Sequence, residues 1–500
     1  MTSLVPRPPY NQDELKSLYP PNLELQQVQV FLRHGERTPI TPRFQNAGLP
    51  TFWPYCTAMR HFSSATLNRD TGQFTTLEWK RRLESFGPDD EPAMAVGPGG
   101  ELDGICEGGM LTDRGRQTTF ELGTRLRKLY VDQLGFLPSR LQDTESLYLR
   151  ATPIPRALES LQQAFVGLYP AGTRSPTLPT PTIVLRAPGD ETLFPNDSNC
   201  RRFAALARAF ADRAATRWNP TDEMAYLNKV YSRWMPERSP HVAVDSRPRL
   251  VGIMDTINAT RAHGPATRLP EEFYDPKALE IIDKIAVEEW FAGYQESREY
   301  RMLGIGGLLG DVVSRMVSSA ERKGADHVSE AEKGGVRFAL SGCHDTTLAG
   351  LLASLGAFEG KNWPPFTSHV AIEMFRKSNE SPSSSPSKPS GLKSFFSIFG
   401  SISTTTTATT TIGRKRTEEL TPREKAKLKG YYVRLRYNDQ VVTVPGCRIP
   451  GNHLEGDESF CTLETFKSIV DKFAPTNWKQ QCSTNVKGPA FPDRIEPAGY

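Results

Sequence analysis

Arg33-His34-Gly35-Glu36-Arg37-Thr38-Pro39 sets a guanidinium group on either side of one imidazole. Arginine stays charged at any working pH and presents a planar fork of N–H donors that matches the oxygens of a phosphoryl group. An imidazole between two such forks can attack phosphorus. Gly35 permits a close backbone approach where a Cβ would collide with a ligand, and Pro39 fixes the chain as it leaves the turn. Arg150 and the pair His344-Asp345 offer matching groups farther along. Together, three arginines and two histidines concentrate positive charge that an anion would relieve. The arginines and the second imidazole can hold equatorial phosphoryl oxygens, and a carboxylic acid can protonate a departing alkoxide. The chemistry these residue types fit is phosphoryl transfer.

Those groups need elements that bring them to one place. Gln27 to Leu32 alternates and is rich in β-branched residues, which predicts a strand ending at Leu32 with Arg33 next in the chain. This is the carboxyl end, where open α/β sheets place ligands. A helix is predicted from Thr112, which can cap it, through Leu122, Leu126 and Leu129. A strand at 146–149 leads to Arg150, with a helix from Pro155 to Leu168, a third strand at 182–185 and a helix from about Cys200 to Arg217. Strands resume at 336–340, just before His344-Asp345, and again at 369–375 and 431–437, with a small-residue helix at 346–355. Residues 218–335 read as helical throughout. This order is that of an α/β fold, a central mixed sheet with flanking helices plus an inserted α-helical cap domain. The expected organisation is an extension over 1–26, the α/β domain over 27–217, 336–376 and 430–500, the helical cap over 218–335, and a disordered Ser/Thr-rich and basic insertion over 377–429.

Composition narrows the classes. The 500 residues carry 61 Lys plus Arg against 57 Asp plus Glu, a net charge of +4, too small an excess to argue for nucleic acid. No window reaches the roughly 18 apolar residues of a membrane span, and the first 27 residues lack the pattern of a secretory signal. The expected location is cytoplasmic, with a mitochondrial address as the alternative. Seven scattered cysteines, at 56, 106, 200, 343, 447, 461 and 482, show no Cys-x-x-Cys spacing, so reduced thiols in an intracellular protein are the expectation. No cluster with metal-ligand spacing is visible, and neither a metal nor another cofactor is expected.

The Arg-His-Gly-x-Arg-x-Pro run at 33–39, joined to the distant His344-Asp345, resembles the histidine acid phosphatases, the second branch of the histidine phosphatase superfamily. Supporting matches are Leu111-Thr112 with Gly115, Leu122-Gly123, the Arg150-Ala-Thr segment that opens a helix through Arg156 and Ser160, and Tyr432-Val433. The resemblance runs from about residue 27 to 480, interrupted by the Ser/Thr insertion. It implies a phosphoglycerate mutase-like fold, His34 as a nucleophile that becomes phosphorylated, Arg33, Arg37, Arg150 and His344 as phosphate ligands, and Asp345 as proton donor, without a metal. Departures are Ala151, where many relatives have Ser, and Cys343 before His344. The segment His263-Gly264 is similar to one in lysophosphatidic acid phosphatase-like members, and Glu36 reads as a loop residue. The expected substrate is a small phosphomonoester, with lysophosphatidic acid favoured. Alternatives are inositol polyphosphates or a non-catalytic phosphate-binding scaffold.

Overall fold

The structure is a computed structural model that describes residues 3–323, 335–378 and 412–500. At its centre lies a nine-stranded mixed sheet. Its strands are β1 (Leu23–Arg33), β2 (Leu147–Ala151), β3 (Ile183–Val184), β4 (Phe338–Cys343), β5 (His369–Lys377), β6 (Tyr431–Tyr437), β7 (Gln440–Val442), β8 (His453–Leu454) and β9 (Asp457–Thr462). They lie in the order β8-β9-β6-β5-β1-β4-β2-β3, with β7 paired to β6. β1, β4, β2 and β3 run parallel to one another, whereas β5, β6 and β9 are joined by antiparallel pairing. The topology therefore gathers the carboxyl ends of β1, β4 and β2 at one edge. In register, Arg33 faces Cys343, and Arg150 faces Ser341.

Alternation along β1 builds the two layers around it. Val28, Val30 and Leu32 point to one face and pack with α1 (Asp113–Arg127) and α2 (Pro155–Leu168). Those helices touch closely, because a Cβ on Gly123 would lie 2.0 Å from the Ala164 carbonyl oxygen. Phe31 points to the opposite face, whose core also takes in α3 (Arg201–Trp218), α4 (Asp222–Tyr231), α5 (Leu250–Arg261), α6 (Pro276–Glu296), α7 (Gly307–Lys323), α8 (Asp345–Ser354) and α9 (Leu463–Asp471). The helical stretch read from sequence thus shares one continuous core with the sheet. Gln27 and Gln29, buried on this face, donate to the carbonyls of Val336 and Val312 and tie β1 to the neighbouring segments.

Most predicted elements are present with small shifts in their ends. β4 runs to Cys343 rather than stopping at 340, so His344 comes directly after the strand. The third strand shrinks to two residues. Elements not read from sequence include a helix over Gln12–Leu18, hairpins over His61–Lys80 and Glu84–Met94, β7 to β9 and α9. Among the described residues no helix is long and apolar enough to cross a membrane.

Two expectations need correction. The predicted disordered insertion over 377–429 overlaps ordered chain: residues 412–429 form short helices, bury Ile412, Leu420 and Leu428, and pair Arg414 with Asp311, Lys415 with Glu424 and Lys427 with Glu321. The basic run is thus largely matched by acids that the fold brings close. Residues 379–411 lie outside the described part. The cysteines also differ from expectation, since Cys56–Cys106, Cys200–Cys482 and Cys447–Cys461 are disulfides and only Cys343 is free. Their partners stand 50, 282 and 14 residues apart, and the fold brings their Cα atoms to 5.2, 4.6 and 5.1 Å. Local spacing carries no sign of such pairs. Thiol titration of the protein denatured without reductant should find one reactive thiol per chain, and seven would contradict the pairing.

Candidate active site

His34 and His344 are each placed by a strand end. The His34 amide donates to the Cys343 carbonyl, continuing the β1–β4 pairing by one step, and the Thr367 amide donates to the His34 carbonyl from the other side. His34 is thus pinned between β4 and the segment entering β5. Its Nδ1 lies 2.9 Å from the Gly35 carbonyl oxygen, an acceptor, so Nδ1 carries the proton and Nε2 keeps its lone pair. Burial, reinforced by Arg156, Arg33 and Arg37, holds the His34 pKa well below the ordinary imidazole range. Both features favour a neutral ring with a free Nε2 lone pair.

Gly35 is needed for a different reason from the one read in sequence. A Cβ there would stand 2.3 Å from the Gly115 carbonyl oxygen, so the close neighbour is the first turn of α1 rather than a ligand. Its amide donates to Ser160 Oγ on α2. Glu36 is buried and accepts from Thr118 Oγ1 at 2.5 Å.

His344 caps α8, and its Nε2 lies 3.0 Å from Thr152 Oγ1, just beyond β2. The two site imidazoles stand 5.6 Å apart between centroids. Burial, then the charge of Arg156, also lowers the His344 pKa, against the opposing pull of Asp345. Asp345 opens α8. Its Oδ2 accepts from Arg33 at 2.7 Å and from the Trp363 indole at 3.0 Å, while Oδ1 accepts from the Thr346 amide. Burial raises its pKa, but Arg33 and the Trp363 hydrogen bond outweigh that and leave the net value lowered. Trp363 was invisible in the sequence because it lies 18 residues away in a loop.

His34, Arg37, His344 and Asp345 line one cavity of about 300 Å³. Arg33 stands behind it, clamped by Asp345 and the Pro364 carbonyl, with its guanidinium 4.2 Å above the Phe366 ring. Arg37 pairs with Asp255 of α5 at 2.7 Å. The two acids thus offset part of the positive charge that the sequence left uncompensated.

Neither Arg33 nor Arg150 lines the cavity, and Arg150 is the one held away from its other residues. Its side chain is wholly buried, engaged by Glu191 at 2.5 Å and lying 3.7 Å from Asp311, and it is not among the residues lining the cavity. The residue that does line it is Arg156, in the first turn of the segment that Pro155 opens as α2. Burial, then repulsion from Arg37, brings its pKa down to about 10, and its buried Nε takes no partner among the described residues. The available signal was its place in the helix opened by the same Arg-Ala-Thr segment. A strand residue at the edge points into the sheet layer, whereas the first turn of the following helix overhangs the strand ends. His263 serves packing: it stacks on Tyr55, and its Nε2 meets Thr112 Oγ1 at 2.9 Å.

The rest of the cavity wall is aromatic, made by Phe194, Phe203, Trp290, Phe291, Tyr294 and Tyr300, with Ile40, Ile154 and Ala207. Asp197 is the one further acid there.

Residues 24–387 match the family described as the histidine phosphatase superfamily, branch 2. The chain belongs to this family. It is 37% identical over 470 residues to a Schizosaccharomyces pombe protein named "Probable acid phosphatase", covering 93% of this chain and 95% of that one. It is 26% identical over 362 residues to human lysophosphatidic acid phosphatase type 6, covering 71% and 74%. Among solved structures, a Hafnia alvei phytase in complex with myo-inositol hexakis sulphate superposes with a TM-score of 0.50 at 12% identity, covering 93% of this chain and 99% of that one. At such identity the likeness speaks for the fold alone. The family and fold read from 33–39 and 344–345 hold, and the chain is a phosphatase of the histidine acid type.

Proposed function

We propose that this histidine phosphatase hydrolyses monoesters that carry one phosphate on an apolar body, through a covalent phosphohistidine on His34. The observation that carries the reading is that one cavity wall combines cationic groups with six aromatic side chains. Arg37, Arg156 and His344 line the same cavity as His34 and would hold a phosphoryl group that meets His34 Nε2. Arg33 supports it through Asp345. These donors stabilise the equatorial oxygens as the His34 nitrogen–phosphorus bond forms and the ester oxygen–phosphorus bond breaks. Asp345 gives its proton to the leaving oxygen, and the resulting carboxylate then takes a proton from the water that releases phosphate and restores His34. The arriving dianion draws Arg33 toward itself, which loosens the grip on Asp345 and lets that group hold a proton.

The aromatic lining decides between substrate classes. An inositol polyphosphate needs cations all round its ring, whereas beyond Arg37 and Arg156 this wall offers six aromatic side chains. Each aromatic ring can cover apolar surface. The human relative named for lysophosphatidic acid supports this choice. With purified protein and excess EDTA, hydrolysis of lysophosphatidic acid should exceed that of inositol hexakisphosphate in kcat/KM by about tenfold or more, one such factor being about 1.4 kcal/mol. The reverse preference would sink the substrate assignment, and loss of all turnover in EDTA that a divalent ion restores would sink the metal-free mechanism.

Arg156 and Arg150 separate by experiment. Arg156→Ala should lower kcat/KM for p-nitrophenyl phosphate by about 10²-fold, as loss of one preorganised donor does. Arg150→Met should spare kcat/KM relative to that loss but reduce stability, because it leaves buried Glu191 without its arginine. Equal kinetic losses in the two variants would return Arg150 to the phosphate site.

The three disulfides support a compartment that sustains them rather than the cytoplasm expected from sequence.

A further inference from the structure

A second basic cavity, of about 280 Å³, opens between α7 and the turn at 412–414. It shares no lining residue with the catalytic cavity. Asp311, Ser314, Arg315, Ser318 and Arg322 recur along α7 at helical spacing and present one face to it. Arg186, just beyond β3, and Arg414 close it from two other segments.

Among the described residues, four guanidinium groups face one carboxylate there. Asp311 is shared by Arg186 at 2.6 Å and Arg414 at 2.5 Å. Arg315 has no ion pair among the described residues. Its Nε donates to Gln29 Oε1 at 2.8 Å, and its guanidinium lies over the Tyr148 ring at 4.9 Å. Burial, with nearby Arg150 and Arg186, lowers its pKa despite Tyr148 and Asp311. The buried Nε of Arg322 finds no partner among the described residues. Among the described residues this arrangement leaves an excess of about three positive charges, with serine hydroxyls from Ser314 and Ser318 beside them. Forked donors converging from three segments match a tetrahedral dianion better than a planar monoanion.

We infer that this cavity is a second phosphoryl-binding site, separate from catalysis, for free phosphate or for the phosphate group of a larger molecule. Calorimetric titration of the full-length protein with inorganic phosphate should show two sites per chain. Arg322→Gln combined with Arg414→Gln leaves Arg186 on Asp311 and should weaken the second site by about tenfold or more, through lost charge-assisted hydrogen bonds. KM for p-nitrophenyl phosphate should stay within about twofold, a change of less than about 0.5 kcal/mol. Ser318→Glu supplies a carboxylate inside the cavity and should abolish the same site by competition, which covers failure of the double variant to fold. Phenylphosphonate, which cannot be hydrolysed, separates the sources: second-site binding of both probes shows that the group is taken on a larger molecule, and binding of phosphate alone shows a site for the free ion. A single site in the unmodified protein, or a second site unchanged in the variants, would overturn the inference.

Discussion

His34→Ala should reduce turnover of p-nitrophenyl phosphate by about 10⁴-fold or more, the scale on which removing a covalent nucleophile acts. Nothing nearby can take its place. His344 is the second imidazole, yet its Nε2 already engages Thr152 and its ring lies 5.6 Å away between centroids. The variant should keep its fold, since the His34 backbone amide and carbonyl make the strand-continuing hydrogen bonds and the lost side chain leaves them intact. Phosphate binding should survive as well, because Arg37, Arg156 and His344 remain. A loss confined to KM, or turnover within about tenfold of the unmodified protein, would show that the imidazole positions substrate and does not attack it.

Asp345→Asn should split substrates by leaving group. p-Nitrophenolate departs without a proton, so attack by His34 continues and the loss should be small. A glycerol alkoxide needs a proton at the moment the bond breaks, and on glycerol phosphate the loss should reach about 10² to 10⁴-fold. Asn keeps the shape that accepts from Arg33 and Trp363 at one oxygen, so folding is not at issue. The pH dependence rests on the same residue. Asp345 is pulled toward ionisation by Arg33 in the free site, so the protonated form it needs is lost as pH rises. Activity on alkyl phosphates should decline from acid toward neutral pH. On the acid side the depressed pKa of His34 keeps the nucleophile neutral, so activity persists well below the usual imidazole range. Equal losses on both substrates would remove Asp345 from the proton-transfer role.

Much of this was legible in the sequence because motif and strand end coincide. Arg33 to Pro39 comes after an alternating strand, and His344-Asp345 after another, so sheet register alone puts His34 beside His344. Arg150 shows where that logic stops. A residue at a strand end can point along the edge or into a layer, and Glu191, 41 residues on, takes its guanidinium. Arg156 reaches the site from the first turn of a helix that the Arg-Ala-Thr segment announces, whereas Asp255 and Trp363 come from a distant helix and a loop, and their approach depends on tertiary packing that no local pattern encodes. The disulfides fall in the same class. So does Glu373 on β5, buried between Arg434 and Arg436 of β6, where pairing across strands satisfies charges that neither strand displays alone.

The proposed covalent step is open to direct capture. Enzyme mixed with ³²P-labelled monoester at acid pH, quenched within milliseconds in base and mapped by peptide, should carry acid-labile phosphate on His34, and Asp345→Asn should retain that label with p-nitrophenyl phosphate. Label on His344, or on no histidine at all, would contradict the mechanism.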